Sequence, residues 1–148
     1  MLAISQLLLK ESKIGVLGMS MGTTIISRAY PDIKSKIDFI IGEGYVTNTS
    51  TVAERLKELG KHVLLPEKST DYQKSVNSIQ VPLLILTASE DTITTYGDAL
   101  ALGNTLGENC TVVQFEGEHL AGFQVDYDNK GFGVWYLEQV DQFVKSLE

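Results

Sequence analysis

A chain of 148 residues is one domain's length, enough to bury a core, and 43% apolar with 21% charged residues is ordinary for a soluble globular protein. A formal net charge of −7 argues against nucleic acid or an anionic membrane as partner, since both need clustered Lys and Arg. Two His and one Cys exclude most metal sites and any internal disulfide, so no metal or cofactor is expected, and Cys110 reads as a small buried hydrophobe in a reducing compartment.

In chain order, residues 1–9 are apolar but lack a basic leader and a small-residue cleavage site, and residues 2–10 suggest a short helix. No apolar run approaches the roughly 20 residues that span a bilayer, so a cytoplasmic location is expected. Residues 13–17 predict a strand, followed by a helix over 21–30 that Pro31 terminates. The second strand is expected at 37–41 (IDFII), then a helix over 51–59 stopped by Gly60 and a weaker helix over 71–79. Pro82 precedes a third strand at 83–88 (LLILTA). A helix over 95–106 ends at Gly107, and the fourth strand is 111–115 (TVVQF). The last helix, 133–147, is expected to turn Leu137, Val140, Phe143, Val144 and Leu147 toward the core.

Three of these four strands are near-continuous apolar runs, the pattern of strands buried on both faces. The expectation is an α/β fold in a single domain, with a mostly parallel sheet of about four strands flanked by helices. Sites in such sheets gather at the C-terminal ends of the strands.

The first strand ends in Gly18-Met19-Ser20-Met21-Gly22, a G-x-S-x-G pattern. A strand turning abruptly into a helix holds the central serine out above the sheet, and a Cβ at Gly18 or Gly22 would be expected to crowd that turn. Gly15, Gly18 and Gly22 do not match the G-x-G-x-x-G of a dinucleotide site. Ser89-Glu90-Asp91-Thr92 follows the third strand, and Glu116-Gly117-Glu118-His119 the fourth. Serine, acid and histidine thus stand in that order after parallel strands. A serine hydroxyl needs a neutral imidazole to take its proton, and the imidazole needs a carboxylate to fix its tautomer. The Met21 N–H, opening a helix, would face a developing oxyanion. Blander roles exist for each: Ser20 as helix cap, His119 as a backbone-bonded loop residue, Asp91 as a turn or cap residue, with Glu90 and Glu43 as rival acids. Met19 and Met21 could line an acyl pocket or fill irregular apolar space.

GMSMG, VPLLILTASEDTIT and VVQFEGEHLAGF, in this order, resemble the three catalytic segments of the α/β-hydrolase family. The resemblance implies Ser20 as nucleophile, Asp91 as acid, His119 as base and Met21 as oxyanion donor. It also implies a small-molecule acyl substrate (ester, thioester or amide) cleaved through an acyl-enzyme. Residues 42–80 would form a small cap, with Tyr45 lining the pocket. The family places several strands before its nucleophile, so this chain resembles the C-terminal half of the fold, and nothing in it resembles an HG-type oxyanion loop. The strand at 13–17 would then present an open edge. Three arrangements accommodate this: part of a longer hydrolase, which is favoured; a homodimer; or a complementing second polypeptide. The alternative function is a non-catalytic interaction module that associates through that edge.

Overall fold

LLILTA is apolar almost throughout, and all of it is buried. Successive side chains of a strand point to opposite faces, so Leu83 and Ile85 join one hydrophobic cluster with Ile40, while Leu84 and Leu86 join another with Ile41. A strand of this kind needs cover on both sides and a partner on both edges, and the computed structural model, which describes residues 12–148, provides them. The helix expected over 2–10 lies outside the described residues.

The chain runs β1 (Gly15–Met19), α1 (Met21–Ile33), β2 (Phe39–Glu43), α2 (Thr49–Glu58), α3 (Ser69–Asn77), β3 (Leu83–Ala88), α4 (Tyr96–Leu106), β4 (Cys110–Phe115) and α5 (Val134–Lys145). Short 3-10 turns at Gly107–Asn109 and Gly122–Gln124 precede and follow β4. The four strands form one parallel sheet in the order β1-β2-β3-β4. Each crossover advances one strand with the same hand, so α1, α3 and α4 share one face. There Tyr30, Tyr72, Val76, Ala99 and Leu102 pack on Ile40, Leu83 and Ile85. The other face is covered by α5, through Tyr136 and Phe143 against Ile41, Leu84, Leu86 and Phe115. This is the α/β architecture expected from the strand pattern. Among the described residues no helix is long and apolar enough to cross a membrane. Cys110 is partly buried and its thiol is pushed up to about 11 by burial.

Most element bounds shift by up to three residues from expectation, β1 among them at Gly15–Met19, and three of the differences have physical reasons. Pro31 does not end α1, which continues to Ile33. Tyr30 holds the turn helical: it is buried, and its hydroxyl accepts the N–H groups of Gln80 and Val81 at 3.0 and 3.3 Å, so tertiary contacts outweigh the bias against α before proline. The second strand begins at Phe39 and runs through Gly42 to Glu43, because Glu43 is buried despite its charge-bearing side chain. On α5 the apolar face starts at Tyr136, and Leu137 is 62% exposed. Tyr136, Val140, Phe143, Val144 and Leu147 keep the three-and-four spacing that Leu137 breaks. Among the described residues β1 has only β2 as a strand neighbour, and Leu17 on it is half-exposed.

Tyr30→Phe removes an acceptor shared by two backbone donors, and leaving a buried polar group unmatched costs about 1–3 kcal/mol. A lowered urea midpoint with an unchanged slope is expected. An unchanged midpoint would show that Tyr30 contributes nothing but its ring.

Candidate active site

Between β1 and α1 the chain turns within one residue. Ser20 has φ 47 and ψ −113, a conformation that costs a non-glycine residue on the order of 1–3 kcal/mol and needs support from its surroundings. The support is visible. Ser20 N–H donates to the Glu43 carbonyl at 2.9 Å, and the Ser20 carbonyl accepts both the Thr23 N–H at 2.9 Å and the Thr23 hydroxyl at 2.7 Å. Thr23 Oγ1 also accepts the Val46 N–H at 3.0 Å, tying the corner to the segment after β2. A Cβ at Gly18 would lie 2.6 Å from Ile26 Cδ1 and 3.0 Å from the backbone of Gly22 and Thr23, so glycine is required there. The same expectation fails at Gly22, where a Cβ would meet nothing within 4 Å among the described residues.

Ser20 Oγ lies 2.9 Å from His119 Nε2, and His119 Nδ1 lies 2.6 Å from Asp91 Oδ2. The residues after β1, β3 and β4 therefore meet. Asp91 is buried and its oxygens are shared out. Oδ1 accepts the N–H groups of Ile93 and Thr94 at 2.8 and 2.9 Å, while Oδ2 accepts the Thr94 hydroxyl at 2.6 Å and faces the imidazole. One carboxylate thus both closes the turn after β3 and faces the imidazole. Burial by itself would raise its pKa. The hydrogen bonds from His119, Thr94 and Ile93 outweigh that and hold the carboxyl below its ordinary value. Glu90 is exposed, as is His62 in the loop after α2.

Other residues complete the site without a signal that sequence reading recognised. Gly44, at φ 59, leaves space for the imidazole: a Cβ there would lie 2.8 Å from His119 Cε1 and 3.1 Å from Thr94 Oγ1. A single glycine in the Gly-Glu-Gly stretch after an apolar strand was its only trace. Thr94, three residues beyond Asp91, bridges the carboxylate and the imidazole, its hydroxyl 2.6 Å from Asp91 Oδ2 and 3.2 Å from His119 Nδ1. Leu120, immediately after His119, has φ 62. Among the described residues no group of three His, Cys, Asp or Glu side chains could hold a metal ion.

Met21 opens α1, so its N–H belongs to the first turn, whose donors lack intrahelical acceptors. Its side chain is exposed and borders a groove of about 280 Å³ that Val46, Val52, Leu56, Leu64 and Leu65 also line. Met19 is partly buried in β1 and is not among the groove residues. Tyr45, expected to line a pocket, is 2% exposed and packs in the core, its hydroxyl 2.8 Å from Ser27 Oγ. Gly42 makes room for that ring.

No protein-family model matches the sequence, and no curated protein does. Solved structures match it. An esterase of Pyrococcus furiosus superposes with a TM-score of 0.69 at 19% identity, over 93% of this chain and 55% of that one. The alpha/beta hydrolase domain-containing protein 10 from mouse superposes at 0.63 and 13% identity, over 99% and 68%. The fold is that of part of an α/β-hydrolase. An acylaminoacyl peptidase of Pyrococcus horikoshii gives 0.68 at 17% identity, over 98% of this chain and 25% of that one. The chain spans about half the length of the P. furiosus esterase. Ser20, Asp91 and His119 follow the C-terminal ends of β1, β3 and β4.

Because the Asp91 carboxyl is held below its ordinary value of 3.8, the stabilisation it contributes is present above that value and is lost as pH falls through the folded one. The gap in urea midpoint between wild type and Asp91→Asn is expected to be constant near neutrality and to close below pH 3.8. A gap that persists undiminished into strong acid would contradict an ionised, hydrogen-bonded Asp91.

Proposed function

We propose that this chain is a serine hydrolase acting on carboxylic esters through an acyl-enzyme intermediate. What carries the proposal is the unbroken run of hydrogen-bonding atoms from Ser20 Oγ through His119 to Asp91, at 2.9 and 2.6 Å. An ionised carboxylate can only accept, so His119 Nδ1 bears the proton and Nε2 is left to accept from the Ser20 hydroxyl. That is the tautomer a general base needs.

The Ser20 oxygen attacks the ester carbonyl as its proton passes to His119 Nε2. The carbonyl oxygen becomes an oxyanion opposite the Met21 N–H, at the positive end of α1. Collapse of this intermediate breaks the bond to the alcohol, which leaves with the proton from Nε2. Water then repeats the sequence on the acyl-enzyme and releases the acid. Asp91 stays ionised and stabilises the imidazolium in both halves. Loss of an oxyanion donor such as the Met21 N–H would cost about 10²–10³ in rate.

The apolar groove beginning at Met21 suits the acyl chain, with α2 and the residues up to Pro66 as its cap. The P. furiosus structure carries the name esterase, which supports the choice of an ester, while the P. horikoshii structure is named a peptidase.

p-Nitrophenyl esters of increasing acyl length test this. Measurable turnover is expected with wild type and none with Ser20→Ala. Asp91→Asn should lower kcat by about 10⁴ through loss of the correct tautomer. Gly44→Ala, by displacing the imidazole, should lower it about 10²-fold. A folded protein with no turnover that depends on Ser20 would overturn the proposal.

One observation favours a second reading. The outer edge of β1 is unpaired among the described residues and Leu17 on it is half-exposed, as suits a module that accepts a further strand. Light scattering decides: concentration-dependent dimers without Ser20 reactivity would favour the module, and a reactive monomer would exclude it.

A further inference from the structure

Glu43 has no part in the mechanism above, yet it stands at its centre. It ends β2, pairs in register with Met19, and its carbonyl receives the Ser20 N–H. Its side chain is 1% exposed. Oε1 accepts the Gly122 N–H at 2.8 Å, while Oε2 has no hydrogen-bond partner among the described residues. The Tyr136 hydroxyl is near enough to influence the carboxyl, but it too is buried without a partner at bonding geometry. Gly122 is shaped to this contact. A Cβ there would lie 2.8 Å from Glu43 Oε1 and 2.9 Å from the Tyr136 ring.

Gly122 follows the strained turn that carries the base. His119 is succeeded by Leu120 at φ 62, then Ala121, whose N–H returns to the Glu118 carbonyl at 3.1 Å. A leucine in the left-handed region stays there only if the chain beyond it is held. The Glu43 side chain supplies a hold from β2, the strand that also fixes Ser20. We propose that Glu43 is a positioning residue: its buried carboxyl clamps the turn after His119 at Gly122 and so keeps the imidazole aligned between Ser20 and Asp91.

Burial shifts Glu43 toward its protonated form. Asp91 is the carboxylate already facing His119 in this buried rim, and a second buried anion with an unpaired oxygen is costly. Oε2 and the Tyr136 hydroxyl, both unmatched, are natural partners for one another in either protonation state of Glu43. Burial raises the Glu43 pKa. The Gly122 N–H, the Tyr136 hydroxyl and any positive charge on His119 pull it down, and Asp91 adds to the rise. The two buried carboxyls of this rim are shifted in opposite directions, Asp91 down by its hydrogen bonds and Glu43 up by burial.

The effect on rate rests on the hydrolase proposal; the effect on His119 geometry does not. The test therefore reads both, comparing wild type, Glu43→Gln, Glu43→Ala and Gly122→Ala by the His119 Nδ1–H proton resonance and by p-nitrophenyl ester kinetics. Gln keeps the acceptor and needs no proton, so its His119 signal and kcat should stay within about twofold of wild type. Ala removes the clamp, which should shift or broaden the signal and lower kcat about tenfold or more with KM unchanged. Gly122→Ala should reproduce this if Glu43→Ala fails to fold. Stability adds a further check. Because burial raises the folded-state pKa of Glu43 above 4.5, its contribution to stability is present below 4.5 and is lost as pH rises through the folded value, and Glu43→Gln should remove that loss. An unmoved His119 signal in both Glu43→Ala and Gly122→Ala, or a Gln variant as damaged as Ala, overturns the inference. Inactive wild type with the expected signal changes would overturn the hydrolase proposal alone.

Discussion

Parallel pairing is the constraint on which the rest depends. With β1 to β4 running the same way in sequential order, every strand delivers its C-terminal end to one rim. The register sets how closely the ends align: Met19 lies opposite Glu43, Glu43 opposite Leu86, and Ala88 opposite Phe115. Ser20, Asp91 and His119 each follow one of these ends by a few residues. Residues as far apart as Ser20 and His119 come within hydrogen-bond distance because the sheet has already brought their loops together.

The rim concentrates uncommon backbone. Ser20 and Leu120 are non-glycine residues with positive φ, and Gly44 lies between their strands with φ 59. Each is held by neighbours: Ser20 by Thr23 and the Glu43 carbonyl, Leu120 by the turn that Glu43 grips through Gly122, and Gly44 by its N–H donating to the Leu86 carbonyl at 3.1 Å. Strain is tolerated where the buried sheet behind it is rigid, and here β3 is buried from end to end.

Most of the architecture was legible because it follows from apolar runs and punctuation. LLILTA could be read as a doubly covered strand, and the glycine-flanked Ser20 as a corner, from residue types alone. What escaped was decided by tertiary contacts. The helix past Pro31 depends on the Tyr30 hydroxyl reaching Gln80 and Val81. The length of β2 depends on burying a glutamate that reads as polar, and Tyr45 is drawn into the core by Ser27 and the space above Gly42. Within the site, the residues expected to converge do so, whereas Gly44 and Thr94 support them through contacts that no spacing rule announces.

The central claim is that Ser20, His119 and Asp91 form one proton path that makes the hydroxyl reactive. Incubation with a fluorophosphonate, followed by intact mass and peptide mapping, reads this directly. A single phosphonyl adduct on Ser20 is expected, formed far more slowly in His119→Ala. A folded chain that acquires no adduct, or one whose Ser20 reacts equally well without the imidazole, would contradict it.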